Sequence, residues 1–409
     1  MRIIIAGAGI GGLTAALAAH QAGIEVQLIE SVPEMQRLGV GINLLPHSAR
    51  VLADLGVLDD LLTQGVATRE LVYFNKHGQR IWGEARGLHA GYPNPQISMS
   101  RGILQEVLHD HVIGRLGEDA ILRGHRLLDF TENADSITIT AQTESGLISL
   151  EADALIAADG IHSAARAKLY PDQGDANYSG RVLWRATTRA KPFLTAATMV
   201  MIGYQDRKFV AYPIEAPGAD GLQTINWIAE EPRPLAARED WNRLIDRAEF
   251  ADSFAKWQFD WLDVPALIAG AERVYEYPMV DRDPLPRWSH GRMTLLGDAA
   301  HPMFPIGSNG ASQAILDCEA LVGALTCGTN VEAALAAFDD LRRPATSAIV
   351  LSNRKNGPEQ CMQIAEERAP DGFSDIHDIM PREELEEISA RYKAIAGFVP
   401  NAMTNTSKA

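Results

Sequence analysis

Three short stretches of this sequence place carboxylates beside turns rich in backbone N–H groups. The first is Gly7-Ala8-Gly9-Ile10-Gly11-Gly12, followed at position 30 by Glu30. The GxGxxG spacing suits a diphosphate. Gly7 permits a tight turn, Gly9 lets an anion approach the backbone, and Gly12 lets a helix pack closely on a strand. The helix start supplies unpaired N–H groups and a positive dipole end. Glu30 lies 18 residues after Gly12, where a carboxylate can bond ribose hydroxyls. The second stretch is Asp159-Gly160-Ile161-His162-Ser163, in which Asp159 or Ser163 could cap a following helix. The third runs from Gly297-Asp298 through Pro305, Gly307, Asn309 and Gly310 to Asp317. It delivers backbone N–H groups to a helix start, a place suited to an anionic or electron-rich group, and Asp298 can bond polyol hydroxyls.

The elements that must hold these stretches can be read around them. Residues 2–6 form an isoleucine-rich strand, Leu13 to Ala22 a helix, and 25–30 a second strand, so the first motif sits in a βαβ unit. Dinucleotide binding follows, although the motif does not separate FAD from NAD. Leu38-Gly39-Val40-Gly41-Ile42-Asn43 is a loop whose glycines allow close backbone approach to something flat, or make an ordinary turn. Helical spacing marks 47–65, and a further helix opens at Ser100-Arg101-Gly102. Residues 70–83, 119–157 and 181–230 read as strands, 240–270 as helical, 291–296 as a strand, and 311–327 and 331–353 as helices. The tail from about 357 reads as polar and helical with a frayed end.

The chain has 409 residues and a formal net charge of −16. Such an acidic balance disfavours nucleic acid and anionic membranes as partners. The three cysteines, Cys318, Cys327 and Cys361, form no CxxC pair, so neither a disulfide framework nor a zinc site is expected. No metal is expected. The apolar stretches are too short to span a bilayer, and the N-terminal apolar run dissolves at once into the glycine motif, unlike a signal peptide. A cytoplasmic location follows. Signatures of P-loop, zincin and α/β-hydrolase chemistry are absent, and no second GxGxxG unit occurs.

Taken in order and at these separations, the three motifs resemble those of the single-component (class A) flavoprotein aromatic hydroxylases, of the para-hydroxybenzoate hydroxylase type. The resemblance covers about residues 1–355. It is strongest towards the branch acting on phenazine carboxylates, on Gly39 to Asn43, Ala158 to Ser163, Tyr277 to Pro286 and Gly297 to Asp317. It implies an α/β fold in which a Rossmann-like FAD-binding domain (1–70, 100–180 and 275–355) is interleaved with a β-sheet substrate domain (71–99 and 181–274). C-terminal helices (356–409) follow.

The resemblance further implies that Gly7, Gly9, Gly11, Gly12 and Glu30 hold the ADP half of FAD. Arg101 reaches the ribityl or diphosphate region, and Leu127 touches the adenine through its backbone. Asp159-Gly160 links FAD and NAD(P)H binding, and Asp298 bonds the ribityl chain. Pro305, Gly307, Asn309 and Gly310 border the isoalloxazine, with Val40 and Gly41 on another side. NADH or NADPH is the implied transient reductant and O₂ the co-substrate, reacting through a flavin C4a-hydroperoxide. No side chain is certain to be catalytic, because the flavin carries the chemistry. The implied partner is a small aromatic or N-heteroaromatic molecule, and the chain is a monomer or homodimer.

Leu45, Tyr204, Tyr212, Trp227, Met303 and Phe304 are candidates for an apolar substrate lining, with core packing as the alternative for each. Arg185 could contact flavin or an acidic substrate, or pair with an acidic neighbour. His47 is a candidate base, a surface histidine at a helix start being the favoured alternative. His301 and Asn43 admit structural or functional roles. Two other functions fit the motifs: a flavin oxidoreductase without oxygen insertion, and a non-catalytic FAD-binding or ligand-sequestering homologue. Residues 257–265 only vaguely resemble the WxWxIP stretch of flavin halogenases and break its spacing.

Overall fold

The computed structural model describes residues 1–34, 39–234, 243–328 and 330–397. Leu38 of the glycine-containing loop, Trp241 and the end of the tail (398–409) lie outside the described residues.

A six-stranded sheet carries the three motifs. Its order is Ser289–His290, Met293–Leu295, Ala154–Ala157, Arg2–Ala6, Glu25–Glu30 and Ile121–Arg123. Only the pairing of Ser289–His290 with Met293–Leu295 is antiparallel. Ile3 pairs with Ala154 on one side and Val26 on the other. The central strands are buried on both faces, so they read as continuous apolar runs rather than alternating ones. Helices Ile10–Gln21, Arg101–Leu116 and Gly310–Cys327 share this core with an antiparallel meander of Arg126–Glu132, Ile137–Thr143 and Gly146–Ala152. Parallel strands put each strand-to-helix turn at one end of the sheet, where ligands of open α/β sheets bind.

The second large sheet has eight strands. Their order is Arg243–Ile245, Val274–Asp281, Asn177–Ala190, Gln223–Pro232, Arg207–Pro213, Thr198–Tyr204, Glu70–Phe74 and Arg80–Ala85. Alternation sorts its side chains onto two faces. Trp184, Ile202, Phe209, Ile225 and Trp227 point to one face, where Phe250, Phe254, Trp257 and Leu267 cover them. There Trp184 stacks on Phe250 with ring centroids 4.4 Å apart. The opposite face carries Met199, Met201, Val210 and Tyr212.

Several expectations change. Of the segment 240–270, the described residues 243–270 are not one helix: they form the strand Arg243–Ile245, 3₁₀ turns, two two-residue strands and a single short helix, Val264–Ala269. Its aromatic residues follow the contour of the sheet they cover, not a helical period. Residues 47–65 make two helices, Pro46–Asp54 and Leu58–Gln64, because the chain turns at Gly56 with φ +67°. The strand Val274–Asp281, expected to open the last FAD-domain segment, pairs with Asn177–Ala190 in the eight-stranded sheet.

The tail is helical as expected, and its described part, to residue 397, is packed. Helices Gln360–Arg368 and Arg382–Ala396 bury Cys361, Met362, Leu385 and Ile388 against Met199, Met201 and Val210. Burying each large side chain of this kind is worth about 1.5–3 kcal/mol.

Candidate active site

A long cleft runs between the two sheets. One end is backbone: Gly9, Ile10 and Gly11 of the first turn, Gly160 of the second, and Gly297, Asp298, Asn309 and Gly310 of the third. The glycines act for different reasons. A Cβ on Gly12 would lie 1.9 Å from the Gly7 carbonyl oxygen, so Gly12 is required for helix and strand to touch. A Cβ on Gly9 would meet nothing within 4 Å, so its missing side chain leaves room for a ligand and not for the protein itself.

Two long helices, Ile10–Gln21 and Gly310–Cys327, begin at this end with no side-chain cap. Their free N–H groups and dipoles favour an anion or an electron-rich ring. Glu30 is oriented by Ala8 N–H at 2.7 Å, Val32 N–H at 2.9 Å and the Ser31 hydroxyl at 3.0 Å. Leu127 lies in the neighbouring meander strand, two residues past His125, whose N–H donates to the Glu30 carbonyl. Arg101 is exposed to the cleft yet enclosed by protein around it. That enclosure lowers its pKa, with Asp298 opposing the shift. Asp159 accepts from Ala164 N–H at 2.8 Å, and burial raises its pKa against the pull of hydrogen bonds from Ser163 and the nearby backbone. An open cradle at Gly9, free helix N–H groups and an exposed Arg101–Asp298 pair fit a dinucleotide.

The other end is built from side chains of the eight-stranded sheet. Leu183, Met199, Met201, Val210, Ile228 and Met279 give it an apolar lining. Gly41 joins the two ends. Its N–H donates to Asn226 Oδ1 at 2.5 Å, and its carbonyl accepts from Arg185 Nη2 at 2.8 Å. Arg185 also lies over the Tyr277 ring, 5.7 Å from its centroid. Burial raises the Tyr212 pKa, so its hydroxyl is a neutral lining group.

The structure brings most candidates to this cleft and leaves others outside it. Gly9, Gly11, Gly41, Arg101, Gly160, Arg185, Tyr212, Asp298, Met303, Pro305, Asn309 and Gly310 line it. Trp227 does not. It lies between Asn226 and Ile228 on a strand, so alternation turns it to the far face, where its Nε1 donates to Thr188. Tyr204 borders a separate recess, under the Lys76 ammonium. Phe304 is packed behind the lining with Leu183, Tyr277 and Met279. Leu45 begins the helix Pro46–Asp54, and its side chain turns to Tyr92 and Tyr392. Val40 is buried, and its carbonyl accepts from Arg101 N–H. Gly307 is pressed against the Tyr392 ring. His47 is no surface histidine: it is buried, and burial with the Arg342 and Arg50 charges lowers its pKa to about 3, which disqualifies it as a base near neutrality.

Sequence reading passed over the groups that hold the site together. Arg166 donates to the carbonyls of Ala299, Ala300 and Asp283 within 3.0 Å, tying the second motif to the third. Asp317 accepts from His301 at 2.5 Å and Arg342 at 2.8 Å, a buried knot behind the third motif that gives His301 a structural role. The Tyr392 hydroxyl accepts from Asn309 at 2.7 Å and lies 3.1 Å from both the Ile306 carbonyl and Asn353 Oδ1. It thus clamps a loop in which Ser308, a non-glycine, sits at φ +56°. Such strain persists only where the surroundings enforce it. Lys208, Glu230 and Glu359 also reach the cleft. Charged residues at lining parity in otherwise apolar strands were the available signal for the first two.

Among the described residues no group of three or more His, Cys, Asp or Glu could hold a metal, and no helix is long and apolar enough to cross a membrane.

Comparison with known proteins agrees with this geometry. The FAD binding domain family matches residues 1–352. Phenazine 1,6-dicarboxylic acid hydroxylase of Lysobacter antibioticus is 44% identical over 362 residues, covering 86% of this chain and 89% of that protein. A 3-amino-4-hydroxybenzoate 2-monooxygenase of Streptomyces platensis is 30% identical, covering 88% of each chain. In fold, a salicylate hydroxylase in a substrate complex superposes with TM-score 0.76 at 21% identity, over 98% of this chain and 96% of that one. Klebsiella pneumoniae HpxO, complexed with FAD and uric acid, superposes with TM-score 0.74 at 24% identity, over 99% and 95%. The similarity extends over nearly the whole chain, which belongs to the FAD-binding domain family, among its flavoprotein hydroxylases.

Proposed function

We propose that the chain is an FAD-dependent monooxygenase that uses NADH or NADPH and O₂ to hydroxylate a flat aromatic or N-heteroaromatic molecule. The observation that carries this reading is the continuity of the cleft: backbone donors and a diphosphate cradle at one end pass directly into an apolar wall at the other. Relatives that hydroxylate phenazine and aminohydroxybenzoate rings support it.

Bound FAD would supply electron storage and oxygen transfer. Gly9 and the start of helix Ile10–Gln21 would hold its diphosphate, Glu30 the ribose, and Leu127 the adenine through its backbone. Arg101 and Asp298 would hold the ribityl chain. Pro305, Asn309, Gly310 and Gly41 would border the ring. The N–H groups at Gly310 and Ala311 favour negative charge there. Asp159-Gly160 borders the path for the transient nicotinamide. Met201, Met279 and Ile228 exclude water from the reacting ring and position it. The enzyme works in the cytoplasm as a monomer or homodimer.

Aerobic NADH and NADPH oxidation over a panel of aromatics tests this reading. One ¹⁸O atom from O₂ should appear in the product. Oxidation that yields only H₂O₂ across the panel would reject oxygen insertion.

A further inference from the structure

Where the sheet wall meets the tail, the apolar lining gives way to four charges. Lys208 and Glu230 face each other in register on adjacent strands. The Lys208 ammonium donates to Glu230 Oε2 and to Glu359 Oε2, each at 2.6 Å. Behind them Arg181 Nη1 lies 3.3 Å from Glu230 Oε1 and 3.5 Å from Asn356 Oδ1. All four are buried, at 9% exposure or less.

A fastening of tail to sheet is the bland account. Buried ion pairs give little net stability over apolar packing, though, and apolar packing already joins these elements. Three of the four, Lys208, Glu230 and Glu359, line the cleft. An ammonium has three N–H donors, and the protein occupies two of them.

Two cations face two carboxylates, so an arriving anion would leave one negative charge too many unless a proton came with it. Glu359 is placed to take that proton. Its pKa is raised, by burial first and by the Glu230 charge, against the pull of Lys208 and Arg181. Tyr73, Cys361 and Tyr392 also face it, and burial keeps all three neutral. A recess between Gln205, Asn356 and Gln363 reaches Glu359 from the other side and gives a proton a route from solvent.

Resting on the reading that the cleft takes a flat aromatic ring, we propose that this cluster anchors the carboxylate of an aromatic acid. The third N–H of Lys208 donates to it, and Glu359 takes up one proton from solvent as it binds. Arg181 and Lys208 then face Glu230 and the ligand, and charge balances.

The test is titration of the FAD-loaded protein with phenazine-1-carboxylate and with its uncharged carboxamide, followed by flavin absorbance. The carboxylate should bind at least about tenfold tighter near pH 6. That preference should fall by about tenfold per pH unit once Glu359 is ionised in the free protein. Calorimetry in buffers of different ionisation enthalpy should report about one proton taken up. Glu359→Gln should keep the preference and flatten its pH dependence. Lys208→Met combined with Glu359→Gln, which leaves no unpaired buried charge, should abolish the preference while still binding the carboxamide.

Equal binding of the two probes by the unaltered protein overturns the proposal alone. So does a preference that survives in the double variant, or a pH dependence unchanged in Glu359→Gln. Failure of both probes to bind overturns it together with the aromatic reading.

Discussion

The two ends of the cleft are made in opposite ways. The cofactor end is defined by side chains that are missing: Gly9, Gly160 and Gly310 leave backbone and helix starts bare. The substrate end is defined by side chains that are present, one or two from each of several strands, with the tail closing it. Backbone recognition tolerates no variation in the protein and suits a constant ligand. Side-chain recognition can be changed residue by residue without disturbing the fold. A flavoprotein keeping one cofactor while changing substrates needs this division.

The sharpest way to break the comparison lies within the glycine motif. Gly12→Val drives a side chain into the Gly7 carbonyl and should cost more than about 4 kcal/mol, so that little folded protein is recovered. Gly9→Val meets only open space. It should melt within a few degrees of the unaltered apoprotein yet stay colourless. Flavin retained in that variant would place the diphosphate elsewhere.

The next effect tests the support behind the cofactor end. Burial alone would raise the Asp317 pKa, but the charges of His301 and Arg342 outweigh it and hold the group below its ordinary value. A depressed folded pKa means stability present above the unfolded value, about 3.9, and lost as pH falls through the folded one. Asp317→Asn should therefore lose about 3–5 kcal/mol near neutrality, with a smaller difference from the unaltered protein in acid. Denaturant melts at several pH values would show it, and a constant difference down to pH ~2 would refute the ion-pair account.

Tyr392 holds the loop of the third motif from behind. Tyr392→Phe leaves Asn309 without its 2.7 Å partner and should cost about 1–3 kcal/mol. Its diagnostic readout is faster flavin release and a shifted flavin potential, whereas a purely structural tyrosine would lower only the melting temperature.

The smallest effect compares neighbours on one strand. Ile228→Ala should raise KM for the aromatic substrate several-fold. Trp227→Phe should lower stability by about 1–2 kcal/mol and leave KM unchanged. The reverse pattern would mean that the faces of the sheet have been misassigned.

The same division explains what could be read in advance. The cofactor end was legible because each part is contiguous: turn, helix start and acid follow one another in Gly7 to Glu30 and in Gly297 to Asp317. The substrate end was not. Tyr212 and Trp227 are both aromatic residues on strands, and only strand parity and the identity of the covered face separate them. The segment 240–270 read as helical because its apolar residues are dense, yet they follow the surface they cover. His47 looked exposed because a helix start usually is, and tertiary packing buried it.

Local sequence by itself determined the βαβ unit and the three turns that line the cleft, because each depends on covalent spacing and backbone freedom over a few residues. Only the tertiary structure decided that Glu359 of the tail reaches the cleft, that Tyr392 clamps the loop behind it, that Lys208 meets Glu230, and that Trp227 turns away. Those contacts join residues up to about 150 positions apart, as Lys208 and Glu359 are. Their energy comes from burial and charge pairing between whole elements, which no local pattern specifies.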